Sequence, residues 1–203
     1  MTPRGLTRVL AGVILIGALT LASPVLAKVF MTQDEALKLA FPGKSGIKRQ
    51  TAFLTDDQAS AVEKLSGEKP PSRVITWYVD DGGGSSTGGS GAGGTGATGR
   101  TVWFDSHVVR TLPETIMVVV SSSGTIERID ILSFNEPEEY LPRAKWSEQL
   151  EGRALDDDLS LRRGVRPITG ATLSARAIVA AARRVLALRQ VIAAAPRVQG
   201  GKP

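Results

Sequence analysis

The sequence predicts an α+β fold: an antiparallel sheet with peripheral helices and a long C-terminal helix packed on the sheet. Three observations predict it. Short β-branched and aromatic runs recur along the chain, two of them flanking a hairpin-type turn. A single long stretch near the C-terminus, residues 173–195, repeats its apolar residues with helical spacing. Shorter segments with clear helix start and stop signals lie among the strands rather than alternating with them one for one.

The elements follow in order. Thr32-Gln33-Asp34-Glu35 is a capping box, in which hydroxyl and carboxylate each satisfy the other's backbone amide. Ala36, Leu37, Leu39 and Ala40 continue that helix until Pro42-Gly43 stops it. Residues 47–54 alternate sufficiently to form a strand, and Thr55-Asp56-Asp57-Gln58 opens a second helix that runs through Leu65 and ends near Gly67. Val74 to Val79 (VITWYV) is a strand, as is 101–104. Between them, Gly82 to Gly99 is a run of Gly, Ser, Thr and Ala that has nothing to bury, so the expectation is a disordered, expanded hairpin connection. It lacks the Lys-Ser/Thr of a phosphate-binding loop and opens no amphipathic helix. Thr115 to Val120 and Ile126 to Leu132 flank Ser121-Ser122-Ser123-Gly124-Thr125 and predict an antiparallel hairpin. Residues 145–151 suggest a short helix. In the long helix Leu173, Ile178, Ala181, Val185, Leu188 and Ile192 form the apolar stripe, and Arg176, Arg183, Arg184 and Gln190 are placed on the other side.

At 203 residues there is room for one ordinary domain. Residues 1–27 read as an export signal. Arg4 and Arg8 precede the apolar run from Val9 to Leu21, and small residues offer a cleavage site after Ala27. An uncleaved anchor is the alternative, although the apolar run is short of the roughly 20 residues a spanning helix needs. The expected organisation is a signal at 1–27, one domain at 28–195 and a flexible tail at 196–203, working in the periplasm or on the outer face of the cytoplasmic membrane. Without its signal the chain carries 23 basic and 20 acidic side chains, a net charge of +3 that speaks against nucleic-acid binding. The absence of cysteine excludes disulfides, thiolate metal sites and iron–sulfur clusters, and a single histidine excludes a multi-histidine zinc site. Redox chemistry, if present, must come from a cofactor held by other groups.

The stretch that carries chemistry is Ile168-Thr169-Gly170-Ala171-Thr172-Leu173-Ser174, where a loop becomes the last helix. Gly170 and Ala171 have almost no side chain, so a planar ring or a partner can approach the backbone. Thr172 projects a hydroxyl at the first turn of a helix, where free N–H groups and the dipole favour a phosphate. Thr169 and Ser174 add hydroxyls. A Thr N-cap among small packing residues is the bland alternative. Thr95-Gly96-Ala97-Thr98 repeats the same four residues inside the Gly-rich run, but no helix follows it.

The surroundings of the second copy resemble the FMN-binding domain shared by the C subunit of sodium-translocating NADH:quinone reductase and the G subunit of the Rnf complex. The hairpin TIMVVVSSSGTIERIDIL, the Glu-containing loop Phe134-Asn135-Glu136-Pro137, then WSEQLEGRAL and ITGATLSARAIVAAARRVL occur in the family's order across residues 100–190. VFMTQDEALKLAFPG at 29–43 and HVVRTLPE at 107–114 resemble a subgroup of stand-alone exported FMN-binding proteins. The family usually has Asp three residues before the first Ser/Thr of its motif; this chain has Arg166.

The resemblance implies FMN joined to Thr172 through a phosphoester, and an external, Mg-dependent flavin transferase with FAD as donor, because the loop supplies no base to activate a threonine. It implies candidate cofactor residues Thr169, Gly170, Ala171, Thr172, Leu173 and Ser174, with Glu136 and His107 outside the loop. A structural role is the first reading of His107, and a hydrogen bond to the flavin or a haem-ligand role is its alternative. Glu136, Glu138 and Glu139 also read as solvated loop charge, as does Asp156-Asp157-Asp158. No catalytic triad or dinucleotide fingerprint is visible, so an electron carrier is expected rather than a substrate-converting enzyme. The expected partners are membrane or periplasmic redox proteins such as cytochromes or a quinone reductase, with Arg176, Arg183 and Arg184 steering an acidic surface. A flavin-free binding or scaffold module is the rival of a different class.

Overall fold

A computed structural model describes residues 28–44, 46–80 and 99–195. The strands are β1 (Lys28–Val29), β2 (Ile47–Phe53), β3 (Val74–Asp80), β4 (Thr101–Val108), β5 (Pro113–Val120) and β6 (Ile126–Phe134). They form one antiparallel sheet in the order β1-β6-β5-β4-β3-β2, so consecutive strands from β2 to β6 are paired in turn, while β1 pairs with β6 at the far edge from β2. The helices are α1 (Gln33–Ala40), α2 (Asp56–Ser66), α3 (Ala144–Ser147) and α4 (Thr172–Ala194). The fold is α+β. The expected signal at 1–27, the Gly-rich run up to residue 98 and the tail at 196–203 lie outside the described residues.

Local chemistry accounts for the helix ends. Thr32 and Thr55 both make complete capping boxes, with Glu35 and Gln58, and each helix has two acids in its first turn. Gly67 closes α2 with a φ of 82°, a left-handed conformation that costs glycine nothing.

The sheet buries both faces, and β5 shows how. Ile116, Val118 and Val120 point to one side, where α2 and α4 cover them; Met117 and Val119 point to the other, against α1. Trp77 and Trp103 stack on the α4 side with ring centroids 5.3 Å apart. Among the seams between the five longer strands, one is shorter than the rest. β2–β3 and β4–β5 pair along their full lengths, but β3 meets β4 only over Trp77–Val79 and Thr101–Trp103.

Three expectations need correction. β4 does not end at 104 but runs to Val108, so His107 lies within the strand and not after it. Its polar residues hide the strand's continuation in the sequence, because they are satisfied by buried partners instead of by water. Arg184 is not on the solvent face of α4: it is 7% exposed and bonds Asp105. Arg183, beside it, donates to the carbonyls of Ser66, Leu65 and Leu159 and so ties α4 to the end of α2. Of the three arginines expected to steer partners, only Arg176 stands exposed. Glu136 is not solvated loop charge either, being 8% exposed and saturated with backbone donors.

Candidate flavin site

The loop before α4 is shaped from both sides. Arg166 is clasped through its backbone: its carbonyl accepts from the Trp146 indole at 2.7 Å and from the Gln149 amide at 3.3 Å, while its N–H donates to Gln149 Oε1 at 2.8 Å. Gly170 then adopts a φ of 87°, which only glycine takes without strain, and remains exposed. Ala171, buried, is the N-cap of α4 and offers no side-chain acceptor, so the Thr N-cap alternative does not hold. Thr172 is the first helical residue and is exposed; its hydroxyl donates to the Ile168 carbonyl at 2.8 Å. Unlike α1 and α2, this 23-residue helix has neither a capping side chain nor an acid in its first turn. Its free N–H groups and positive dipole end are therefore left for an anion from outside the helix.

Thr172 stands on a ridge between two hollows. One, of 610 Å³, opens towards α2 and is floored by Val179, Ala180 and Arg176 of α4. The other, of 310 Å³, lies at the helix N-terminus between Gly170–Ser174, Tyr140 and Arg110. A third, of 570 Å³, adjoins the other flank of the loop, with Trp146, Arg143, Lys145 and Arg166 in its wall.

Arg110 is the site residue that sequence reasoning misses. Its guanidinium lies 4.5 Å from the centre of the Tyr140 ring, and it is placed by Glu136. Glu136 Oε1 accepts the N–H groups of Thr111 at 2.7 Å, Leu112 at 2.9 Å and Arg110 at 3.1 Å. Those donors, Thr111 foremost, hold its carboxyl below the usual carboxylate range. Glu136 thus builds the loop that presents Arg110. Ser174 serves the same corner from below: its hydroxyl is spent on the Tyr140 carbonyl at 2.6 Å. Leu173 is 46% exposed and Thr169 is exposed beside it, at the mouth of the site.

His107 is held elsewhere and lines none of the three hollows. It belongs to a buried charge network on the α4 side of the sheet. Its Nδ1 donates to Asp105 Oδ1 at 2.9 Å and its Nε2 to Glu114 Oε2 at 3.1 Å, while Arg184 grips Asp105 with two bonds at 2.9 and 2.7 Å. Both ring nitrogens face carboxylates, so the imidazolium is the form that satisfies them. Burial pulls the pKa of His107 down, but the two carboxylates outweigh it and push it up to about 9. Burial and then Arg184 and His107 compete at Asp105, and the partners win, holding its carboxyl low. At Glu114, fully buried with one oxygen unpartnered, burial wins and pushes the carboxyl up.

A stability change with pH follows. The folded-state pKa of His107 lies above its ordinary 6.5, so the stabilisation is complete below about pH 6.5 and is lost as pH rises through about 9. The loss is on the order of 3 kcal/mol at 1.36 kcal/mol per unit. The raised Glu114 acts in the same direction. Thermal unfolding followed between pH 6 and 10 is expected to show a falling midpoint that His107→Gln flattens; a parallel fall in the variant would remove His107 as the cause.

Whether the site fits a flavin nucleotide is a matter of donors and space. An unblocked helix N-terminus with Arg110 beside it suits a phosphate, the Thr172 hydroxyl projects from the same turn, and the adjoining hollows have the volume of small-molecule sites. No curated protein and no solved structure matches the chain. The family model described as the FMN-binding domain matches residues 112–187, a span that includes β5, β6, Glu136, Tyr140, the loop and most of α4. Residues 112–187 thus match the FMN-binding domain, and that match indicates FMN as the cofactor.

Proposed function

We propose that the chain is an extracytoplasmic electron-transfer flavoprotein whose FMN is joined by a phosphoester to Thr172. The observation that carries this reading is the exposed Thr172 hydroxyl on the first residue of a helix with no cap and no acid of its own. Attachment from FAD balances simply. The Thr172 oxygen forms a bond to the flavin-side phosphorus, the bond from that phosphorus to the bridging oxygen breaks with AMP as leaving group, and the hydroxyl proton goes to a base of the transferase. Among the described residues, no carboxylate or imidazole is bonded to Thr172, which supports an external, Mg-dependent flavin transferase as the enzyme that does it.

Bound FMN supplies one- and two-electron redox chemistry, and the protein sets its position and surroundings. The N–H groups at the start of α4 and the Arg110 guanidinium hold the phosphate. Gly170 and Thr169, small and exposed, leave the approach to the cofactor open for a docking protein. A tethered cofactor cannot diffuse to its acceptor, so the domain itself must dock. The exposed rim of Arg110, Arg143, Lys145, Arg162, Arg166 and Arg176 favours an acidic redox partner, such as a cytochrome or a membrane quinone reductase. Arg4, Arg8 and the apolar run that follows support export to the periplasm or to the outer face of the cytoplasmic membrane.

Intact-mass spectrometry of the exported protein, co-expressed with a competent flavin transferase, tests the reading. The expected result is a gain of one FMN less one water, with flavin absorbance that survives denaturation. An unmodified mass without flavin absorbance would favour a flavin-free scaffold.

A further inference from the structure

The family match begins at residue 112, yet the largest hollow beside Thr172 is completed by residues that lie before it. Its far wall is Ser66-Gly67-Glu68, the end of α2. We propose that this hollow takes the isoalloxazine ring, and that Glu68, Arg162 and Arg176 around it set how readily the ring accepts electrons. The inference rests on the flavoprotein reading above and adds to it a place for the ring and a role for the N-terminal part of the chain.

Four observations point to this hollow. First, Thr172 is on its rim, so a phosphate esterified there has the ring within reach of it. Secondly, its volume of 610 Å³ exceeds the 310 Å³ at the helix N-terminus, which leaves the smaller space with Arg110 to the phosphate. Thirdly, small residues face it from both sides, Gly67 on the α2 wall and Ala180 on α4, with Val179 and Ile168 adding apolar surface of the kind a flat ring covers. Fourthly, Arg162 in its wall has a φ of 74°, the one non-glycine residue with a positive φ among those described. Such a conformation costs of order 1–3 kcal/mol and is retained where the surroundings impose it, commonly at ligand sites. It is fixed here by the Arg162 N–H bond to the Val165 carbonyl at 3.0 Å.

The charges then act in a defined sense. Reduction adds electrons to the ring, so a neighbouring guanidinium favours the reduced form and a carboxylate opposes it. Arg162 and Arg176 against Glu68 leave the wall positive. Arg183, also in the lining, is committed to the backbone carbonyls that join α2 to α4.

The hollow on the other flank of the loop is the competing place, and Trp146 in its wall makes the two distinguishable. An indole in contact with a flavin quenches its fluorescence. In the covalently loaded protein, Ala180→Trp is expected to shorten the flavin fluorescence lifetime several-fold, and Trp146→Phe to leave it unchanged. A longer lifetime in Trp146→Phe, or an unchanged one in Ala180→Trp, would overturn the placement. Redox titration gives an independent measurement that needs no new bulk in the hollow. Glu68→Gln should favour reduction and Arg162→Gln oppose it, each by about tenfold in equilibrium constant, about 30 mV for a two-electron couple. Potentials that do not move would remove both residues from the ring's surroundings. Wild-type protein lacking covalent flavin would instead defeat the underlying reading, a result separate from either of these.

Discussion

On the proposed attachment, Thr172→Ala is expected to remove covalent flavin completely, because it deletes the oxygen on which the ester forms. The structural cost is small. The exchange deletes the bond to the Ile168 carbonyl, worth about 1 kcal/mol for an exposed neutral pair, and places the best helix former at the first turn. Loss of label with an unchanged unfolding midpoint therefore isolates the chemistry from the fold. Thr172→Ser restores the hydroxyl and should restore some attachment. Thr98→Ala should change nothing, although Thr95-Gly96-Ala97-Thr98 repeats the same four residues. Fluorescence of the denatured band, with peptide mapping of the flavin, checks all three. Flavin mapped to Thr98, or retained by Thr172→Ala, would sink the assignment.

The largest effect on stability is expected at Asp105. With His107 as the imidazolium, Arg184, Asp105, His107 and Glu114 carry charges that cancel within a buried cluster. Asp105→Ala leaves Arg184 and His107 buried with one carboxylate between them. Breaking a buried pair by removing one partner costs about 3–5 kcal/mol. For a domain of this size that lowers the melting midpoint by on the order of 10 °C. Replacing both members, as Asp105→Leu with Arg184→Met, removes a pair and leaves His107 matched with Glu114. It should be far less harmful than Asp105→Ala alone. Differential scanning calorimetry of the two variants decides the matter: if the double variant is the less stable, the cancelling of charges is not what the cluster provides.

What could be read from the sequence was what is local. Thr32 with Glu35, and Gly67 at the close of α2, specify their helix ends within a few residues, and both are found where the sequence puts them. The hairpin 115–120/126–132 follows from alternation across a turn, although both strands extend by up to two residues further. The long helix starts one residue earlier than its apolar periodicity suggests, at Thr172 itself. What the sequence hid is what spans distance. Arg184 and Asp105 are 79 residues apart, and Glu136 meets its three donors across 24 to 26. Arg184 nevertheless carried a local sign. It is three residues after Ala181 and four before Leu188, inside the apolar stripe, where an arginine needs a buried acid. Asp105 and His107 likewise share one face of β4, and extending the strand to Val108 sets His107 directly opposite Glu114. Arg110 left no such sign, because its position depends on a loop folded around the Glu136 carboxylate.

The three-residue ladder between β3 and β4 marks a line of few backbone bonds, the kind of line along which local opening is expected. β2, α2 and β3 lie on one side of that line; β4, β5, β6 and α4 lie on the other, joined across it by the Trp77–Trp103 stack, by α2 against α4 and by Arg183. On the proposed placement, a ring lodged between Gly67 and Ala180 would touch both sides and bind only the closed form, and so by mass action would deplete the open one. The proposed tether to Thr172 would fix its effective concentration and make that effect independent of dilution. The cofactor would then serve as a clasp on the fold that carries it, and amide hydrogens of β3 would exchange more slowly in the loaded protein than in the bare one.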